Sequence, residues 1–349
     1  MRKTISTLTL FLALFISISL EAQNRIRFVV FPDSQNAANL FPEVFTSQFD
    51  WVAANASQFN FVLHVGDVVE SSSNTDQWAL AKTNFDKLTA KSLPFAFCMG
   101  NHDIGISLNT ATNATCDNRV STACNTAFPA SSFAGLVGTY ETGKIDNSYH
   151  VFHAGGKDIL VMCIELCPND LIVAWANNII ENNPEKLVII LEHNYMTYGS
   201  VAEECTQDAI MSTINWRSFA PAPYDNLAND PNHPESVINT GEMLWNKLVR
   251  KHKNIFATFS GHVLGTGTAK LVNYGDNGNK IYNMLQNYQN QVNILTDGGK
   301  NGYLRIVDIN LDEKTMEVLT YSPYLKQYFP TNIKQNYIFG GVNLDEGYR

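Results

Sequence analysis

With 349 residues, 45% of them hydrophobic and 16% charged, the chain can bury a sizeable core and is too apolar to be a disordered segment. A formal net charge of −9 excludes general nucleic-acid binding, which needs basic patches. The chain opens on Arg2 and Lys3, then an apolar stretch from Ile5 to Leu20, then the small residue Ala22. This pattern predicts a signal peptide over 1–22, cut between Ala22 and Gln23, and hence a secreted or periplasmic protein. No later segment carries eighteen uninterrupted apolar residues, so the mature form is expected to lack a transmembrane anchor.

Residues 23–349 read as one α/β domain. Five apolar runs follow in order, each ending in a side chain able to bind metal: RIRFVVFPD at Asp33, FNFVLHVGD at Asp67, LPFAFCMGNHD at Asn101, His102 and Asp103, KLVIILEHN at His193, and NIFATFSGH at His262. The runs are short and rich in β-branched and aromatic residues, as in strands buried on both faces. Between them, segments near 41–57, 76–90, 170–183 and 241–252 space apolar residues as helices do. Strand, helix, strand in this order predicts parallel crossovers, with all five polar endings on the rim where such sheets bind ligands. The runs near 279–289, 302–312 and 315–324 predict successive strands that extend a second sheet in antiparallel fashion. Two long polar segments, near 105–148 and 196–240, are expected to be insertions that cover or shape a site.

All six cysteines follow the apolar start. Cys116 and Cys124 flank a short polar loop and are expected to pair, and Cys167 and Cys205 could form a second bridge. Sequence leaves the connectivity open. Cys98 and Cys163 sit inside apolar runs and read as buried thiols. His64 reads as a hydrogen-bonded core residue, His150 and His153 as alternating strand positions, and His233 and His252 as solvated. Glu192 precedes His193 and should face the opposite side of its sheet.

The ordered set Asp33, Gly66-Asp67, Gly100-Asn101-His102-Asp103, His193 and Gly261-His262 resembles the calcineurin-like metallophosphoesterases. FPDSQ at 31–35 is similar to the opening motif of a secreted branch of that family. The resemblance implies a four-layer α/β/β/α sandwich of two mixed sheets flanked by helices. It also implies two divalent metal ions (Mn, Zn, Fe or Mg) and hydrolysis of a phosphate monoester or diester, on a small molecule or a polymer, by metal-activated hydroxide. Asp67 would bridge the two metals. Asp33 and the Gln35 carbonyl would join it at the first, and Asn101, His193 and His262 at the second. His102 would act on the departing oxygen, with Asp103 holding its imidazole. Tyr195 and Tyr198 could line a substrate pocket, as could Tyr288 and Gln289.

Two positions depart from the family pattern. Gln35 stands where the first motif usually has His, and Leu264 stands where the last motif usually has its second His. Both losses fall on the first metal, whose remaining oxygen ligands favour harder ions such as Mg²⁺, Ca²⁺ or Mn²⁺. They leave room for a second reading, a catalytically weak binding protein that keeps one metal.

Overall fold

Each apolar run that ends in a polar group is a strand in the computed structural model, which describes residues 24–104, 122–166, 168–197, 210–212, 238–264, 267–289, 299–329 and 335–345. The first part of the chain gives β1 (Arg25–Phe31), α1 (Gln35–Leu40), α2 (Pro42–Ala54), β2 (Phe61–His64), α3 (Thr75–Thr89) and β3 (Phe95–Phe97). The middle gives α4 (Thr122–Ala127), β4 (Leu136–Thr139), β5 (Ser148–Ala154), β6 (Lys157–Ile164), α5 (Asp170–Glu181), β7 (Leu187–Glu192) and the short pair β8 (Met196–Thr197) and β9 (Ile210–Met211). The last part gives α6 (Gly241–Lys247), β10 (Ile255–Ser260), β11 (Thr268–Tyr274), β12 (Lys280–Gln286), β13 (Leu304–Asn310), β14 (Thr315–Ser322), β15 (Gln327–Tyr328) and β16 (Tyr337–Gly340).

Two mixed sheets stack face to face. The first runs β15-β14-β13-β1-β2-β3, with β16 also on β14, and the second runs β11-β12-β10-β7-β6-β5-β4. In the first sheet β1, β2 and β3 are parallel. In the second, β6, β7, β10 and β12 are parallel. Alternation along the strands divides the core into three apolar layers. Ile26, Phe28 and Val30 of β1 meet Leu187, Ile189 and Leu191 of β7 between the sheets. Val29 and Phe31 face α2 and α3 instead, and Val188 and Ile190 face α5 and α6. The order is therefore helices, sheet, sheet, helices, as the resemblance implied.

Local signals explain the helices that frame the first sheet. Pro42 starts α2, where a missing N–H costs nothing. Asn74 caps α3 by accepting from the N–H groups of Asp76 and Gln77 at 3.0 and 3.2 Å. Phe31, Phe49, Phe85 and Phe128 form a continuous aromatic chain, with successive centroids 4.4, 4.8 and 5.2 Å apart. That chain pins β1, α2, α3 and the end of α4 together behind the strand ends.

Three expectations are corrected. The late strands do not extend one sheet. β12 lies parallel to β10 in the second sheet, while β13 and β14 join the first beside β1. Cys124 is a free, fully buried thiol in the layer under α3, so it is not bridged to Cys116. Its helix turns the side chain into the core. His252 is buried rather than solvated, with Nε2 2.7 Å from Asn177 Oδ1. Within the segment near 105–148, α4 and β4 are described, and β4 pairs with β5. Residues 1–23, Cys116, Cys167, Cys205, His233 and most of 196–240 lie outside the described residues. Among the described residues, no helix is long and apolar enough to cross a membrane.

Candidate metal centre

The carboxyl ends of β1, β2, β3, β7 and β10 converge, and short backbone bonds stitch the turns that follow them. Ser34 N–H donates to Asp67 O, and Gly261 N–H donates to His193 O, both at 2.9 Å. Two turns take unusual backbone forms. Gly66 and Asp67 both have positive φ, 96° and 52°, and so does His262, at 65°. For Asp67 and His262 this conformation costs roughly 1–3 kcal/mol each and persists because the surroundings hold it. Gly261 leaves the room that Asp33 occupies, since a Cβ there would fall 1.9 Å from Asp33 Oδ1.

Asp67, His193 and His262 place one ligand atom each within 4.8 Å of one another. Asn101 Oδ1 lies 2.9 Å from His262 Nδ1, which brings the asparagine into the same group. Asp33 sits beside them, its Oδ2 accepting from His262 N–H at 2.8 Å. His193 Nδ1 lies 2.7 Å from Val65 O. A carbonyl only accepts, so Nδ1 carries a proton, and Nε2 is the atom that can bind a cation once its own proton is released. That Nε2 lies 3.1 Å from Asp67 Oδ2 without the alignment a hydrogen bond needs.

Three buried atoms here find no hydrogen-bond partner among the described residues: Asp33 Oδ1, Gln35 Oε1 and His193 Nε2. Buried polar atoms left unpartnered in this way cost roughly 1–3 kcal/mol each. The donor set of two carboxylates, two imidazoles and two amides therefore fits divalent cations. Proton equilibria point the same way. Burial pushes the Asp33 carboxyl up to about 8, opposed by His193 and aided by Asp67. Burial disfavours a charged His193, but the carboxylates of Asp67 and Asp33 outweigh it and raise the imidazole to about 10. Burial would raise Asp67, yet His193 and then His102 hold it below the usual carboxylate range. Burial, then His193, lowers His262 to about 3. The cluster attracts positive charge, here as protons.

Gln35 Nε2 donates to Asp67 Oδ2 at 3.2 Å, and its buried carbonyl oxygen, without a partner among the described residues, stays open to a cation. Leu264 is 54% exposed and contributes no ligand. Two neighbours went unnoticed in the sequence. Asn287 Nδ2 donates to Asp33 Oδ2 at 2.9 Å, and only its place at the end of the run KIYNMLQN hinted at it. Ser34 Oγ lies 2.9 Å from His64 Nε2, tying the first turn to β2.

The partner of His102 is also corrected. Its Nδ1 lies 2.8 Å from the backbone oxygen of Glu70 and 3.5 Å from Glu70 Oε2. Asp103 instead accepts three backbone N–H groups, from Val68 at 2.8 Å, Val69 at 3.1 Å and Gly100 at 2.9 Å. It clamps the turn after β2 to the turn after β3. Asp103→Asn leaves at least one of those N–H groups facing a donor and is expected to cost about 1–3 kcal/mol of stability. Chemical denaturation would read the loss directly. Glu70 was legible as the carboxylate three residues after Asp67 in GDVVE.

Of the candidate pocket residues, Tyr195 is fully buried in the layer between the second sheet and its helices. It is a core residue there and lines no open site. Tyr198 lies outside the described residues. Tyr288 is buried with its Oη 3.2 Å from Thr320 Oγ1, and Gln289 is buried beside Asn287, whose Oδ1 accepts its N–H.

Comparison with known proteins agrees with this geometry. A Bacillus subtilis (strain 168) protein described as uncharacterized protein YvnB is 24% identical over 335 residues, covering 93% of this chain and 22% of that protein. The purple acid phosphatase PPD1 from yellow lupin (Lupinus luteus) seeds superimposes with a TM-score of 0.52 at 11% identity, over 90% of this chain and 54% of the lupin chain. The chain thus spans about a fifth of the first relative and about half of the second, and the second likeness concerns the fold alone. The family described as calcineurin-like phosphoesterase matches residues 26–220, more than half of the sequence, from the second residue of β1 through β7 and the turn after it. This chain belongs to the calcineurin-like phosphoesterases.

Proposed function

We propose that the chain is a metal-dependent phosphoesterase acting on a monoester or diester of phosphate. The observation that carries this reading is the convergence on Asp67. Its Oδ1 accepts from the His102 N–H at 2.9 Å, and its Oδ2 lies within 3.2 Å of both Gln35 and His193. Asp33, Gln35 and Asp67 would hold one cation, and Asp67, Asn101, His193 and His262 a second. Divalent cations there would neutralise phosphate oxygens and acidify water toward a pKa of about 7.

The protein's own groups supply the rest. His102 is partly exposed beside Asp67, and Glu70 engages its Nδ1. That leaves Nε2 to donate a proton to the departing ester oxygen. The imidazolium is favoured: burial opposes it, but Asp67 and both the carbonyl and carboxylate of Glu70 raise the His102 pKa. The apolar start of the chain supports export, and the acidic composition argues against general nucleic-acid binding. The exposed Leu264 favours one alternative, a binding protein that keeps a single metal.

Turnover of para-nitrophenyl phosphate and of its bis-ester, with added Mn²⁺ and parallel metal analysis, tests the proposal. Two metal equivalents and turnover that chelation abolishes are expected. One tight equivalent with both esters untouched would favour the binding protein. Metal affinity should also rise with pH. His193 and Asp33 hold protons at neutral pH, with values of about 10 and about 8. Cation binding must displace those protons, and raising the pH removes the competitor. Calorimetric titration with Mn²⁺ in buffers of different ionisation heat should show at least one proton released per binding event. Affinity that is flat across neutral pH would contradict the ligand set.

A further inference from the structure

A cavity lies at the opposite rim of the second sheet from the metal centre, among the residues that begin β7, β10 and β12. Its volume is about 330 Å³, in the range of small-molecule sites. The parallel strands put it roughly 20 Å from the metal centre, at ~3.3 Å per residue. Lys253 and Lys280 line it, and no Asp or Glu does, in a chain of net charge −9. Among the described residues neither lysine has a carboxylate partner, and Lys280 Nζ reaches only Gly341 O, at 3.4 Å. The nearby carboxylate Asp276 is taken by Arg250 at 2.7 Å.

Two further lining groups await a partner. Tyr282 is 2% exposed, and its Oη has no hydrogen-bond partner among the described residues. Burial, with Tyr274 adding, pushes this phenol up to about 12, so it stays a donor. Asn279 uses its Nδ2 on the carbonyls of His252 and Ile255, and its Oδ1 is buried without a partner. Tyr274, 64% exposed, adds an aromatic flank.

We propose that this cavity binds an anionic sugar, a hydroxyl-bearing ring with one negative group, and that it does so independently of the metal centre. The two ammonium groups meet the negative group. The Tyr282 phenol and the Asn279 carbonyl serve ring hydroxyls as donor and acceptor, and Tyr274 offers a face for the ring. The site requires no phosphoesterase chemistry, so it stands or falls apart from the function proposed above.

Isothermal titration of the full chain with glucuronate tests the site, with glucose as the uncharged counterpart. Saturable glucuronate binding is expected, at least ~tenfold tighter than glucose, because charge-assisted bonds are the stronger ones. Lys253→Ala combined with Lys280→Ala should weaken it by at least ~tenfold. Tyr282→Phe keeps the ring and should weaken it by a smaller factor. Asp67→Asn should leave it unchanged. The proposal is overturned if wild type shows no saturable binding at millimolar glucuronate, if glucose binds equally well, or if the double lysine variant retains full affinity. Loss of binding in Asp67→Asn also overturns it, by assigning the sugar to the metal centre.

Discussion

Replacing Asp67 with asparagine is expected to strip metal from the protein and to lower kcat/KM by about 10³–10⁵. Three neighbours converge on this carboxylate, and each requires an anion or an acceptor. The His102 N–H meets Oδ1, while Gln35 Nε2 and His193 Nε2 meet Oδ2. An asparagine presents an NH₂ group to one side or the other. In one orientation two donors face each other at His102; in the opposite one they face each other at Gln35. The substitution also removes one negative charge from a fully buried site whose other carboxylate, Asp33, already leans toward its neutral form. Metal content should fall below one equivalent by elemental analysis, and both model esters should be spared. A variant that keeps two equivalents would show that Asp67 does not bridge.

Most of the fold and of the candidate ligand set was legible because each ligand directly follows an apolar run. Strand alternation cannot place a side chain beyond the strand end, but parallel topology delivers all such ends to one rim. That argument needed only Asp33, Asp67, Asn101, His193 and His262, and the structure brings ligand atoms of Asp67, His193 and His262 within 4.8 Å of one another, with Asp33 and Asn101 both hydrogen-bonded to His262. Adjacency in sequence misled where turns reverse the chain. Asp103 follows His102 directly, yet its side chain folds back onto the N–H groups of Val68, Val69 and Gly100. Glu70, 32 residues before His102, is the group that reaches the imidazole. Asn287 ends a strand and reads as an ordinary turn asparagine, because nothing local reveals that its amide meets Asp33.

The late strands show a different limit. β14 alternates between partly and fully buried positions along its whole length. That pattern announces a strand with one covered face, but it does not say which of two sheets it joins. β13 (LRIVDIN) is buried on both faces, Arg305 and Asp308 included, and inserts next to β1 between two cores. The choice is made by packing between the sheets. Val307 and Ile309 of β13 enter the same inner layer as Phe28 of β1 and as Leu187, Ile189 and Leu191 of β7. Those partners are more than a hundred residues away along the chain, so no local window of sequence carries the information.

His102→Ala is expected to lower kcat by about 10²–10⁴ while metal content stays at the wild-type level. The backbone N–H of residue 102, which holds Asp67 Oδ1, survives the substitution, so the ligand geometry is kept. What is lost is the Nε2 proton, offered to the leaving oxygen by an imidazole that Glu70 orients. A leaving group that needs no proton separates this role from a structural one. With para-nitrophenolate, a good leaving group, the loss should be smaller than with an alkyl phosphate, whose alkoxide must be protonated as it departs. Glu70→Gln gives the complementary result. The backbone carbonyl still accepts from Nδ1 at 2.8 Å, so orientation persists, but the carboxylate that favours the imidazolium is gone. The His102 pKa should then fall, and the alkaline limb of the kcat profile should move to lower pH, with a loss of about tenfold at neutral pH. An equal loss with both leaving groups in His102→Ala, and an unmoved alkaline limb in Glu70→Gln, would remove the acid from His102 and leave it a residue that only shapes the turn after β3.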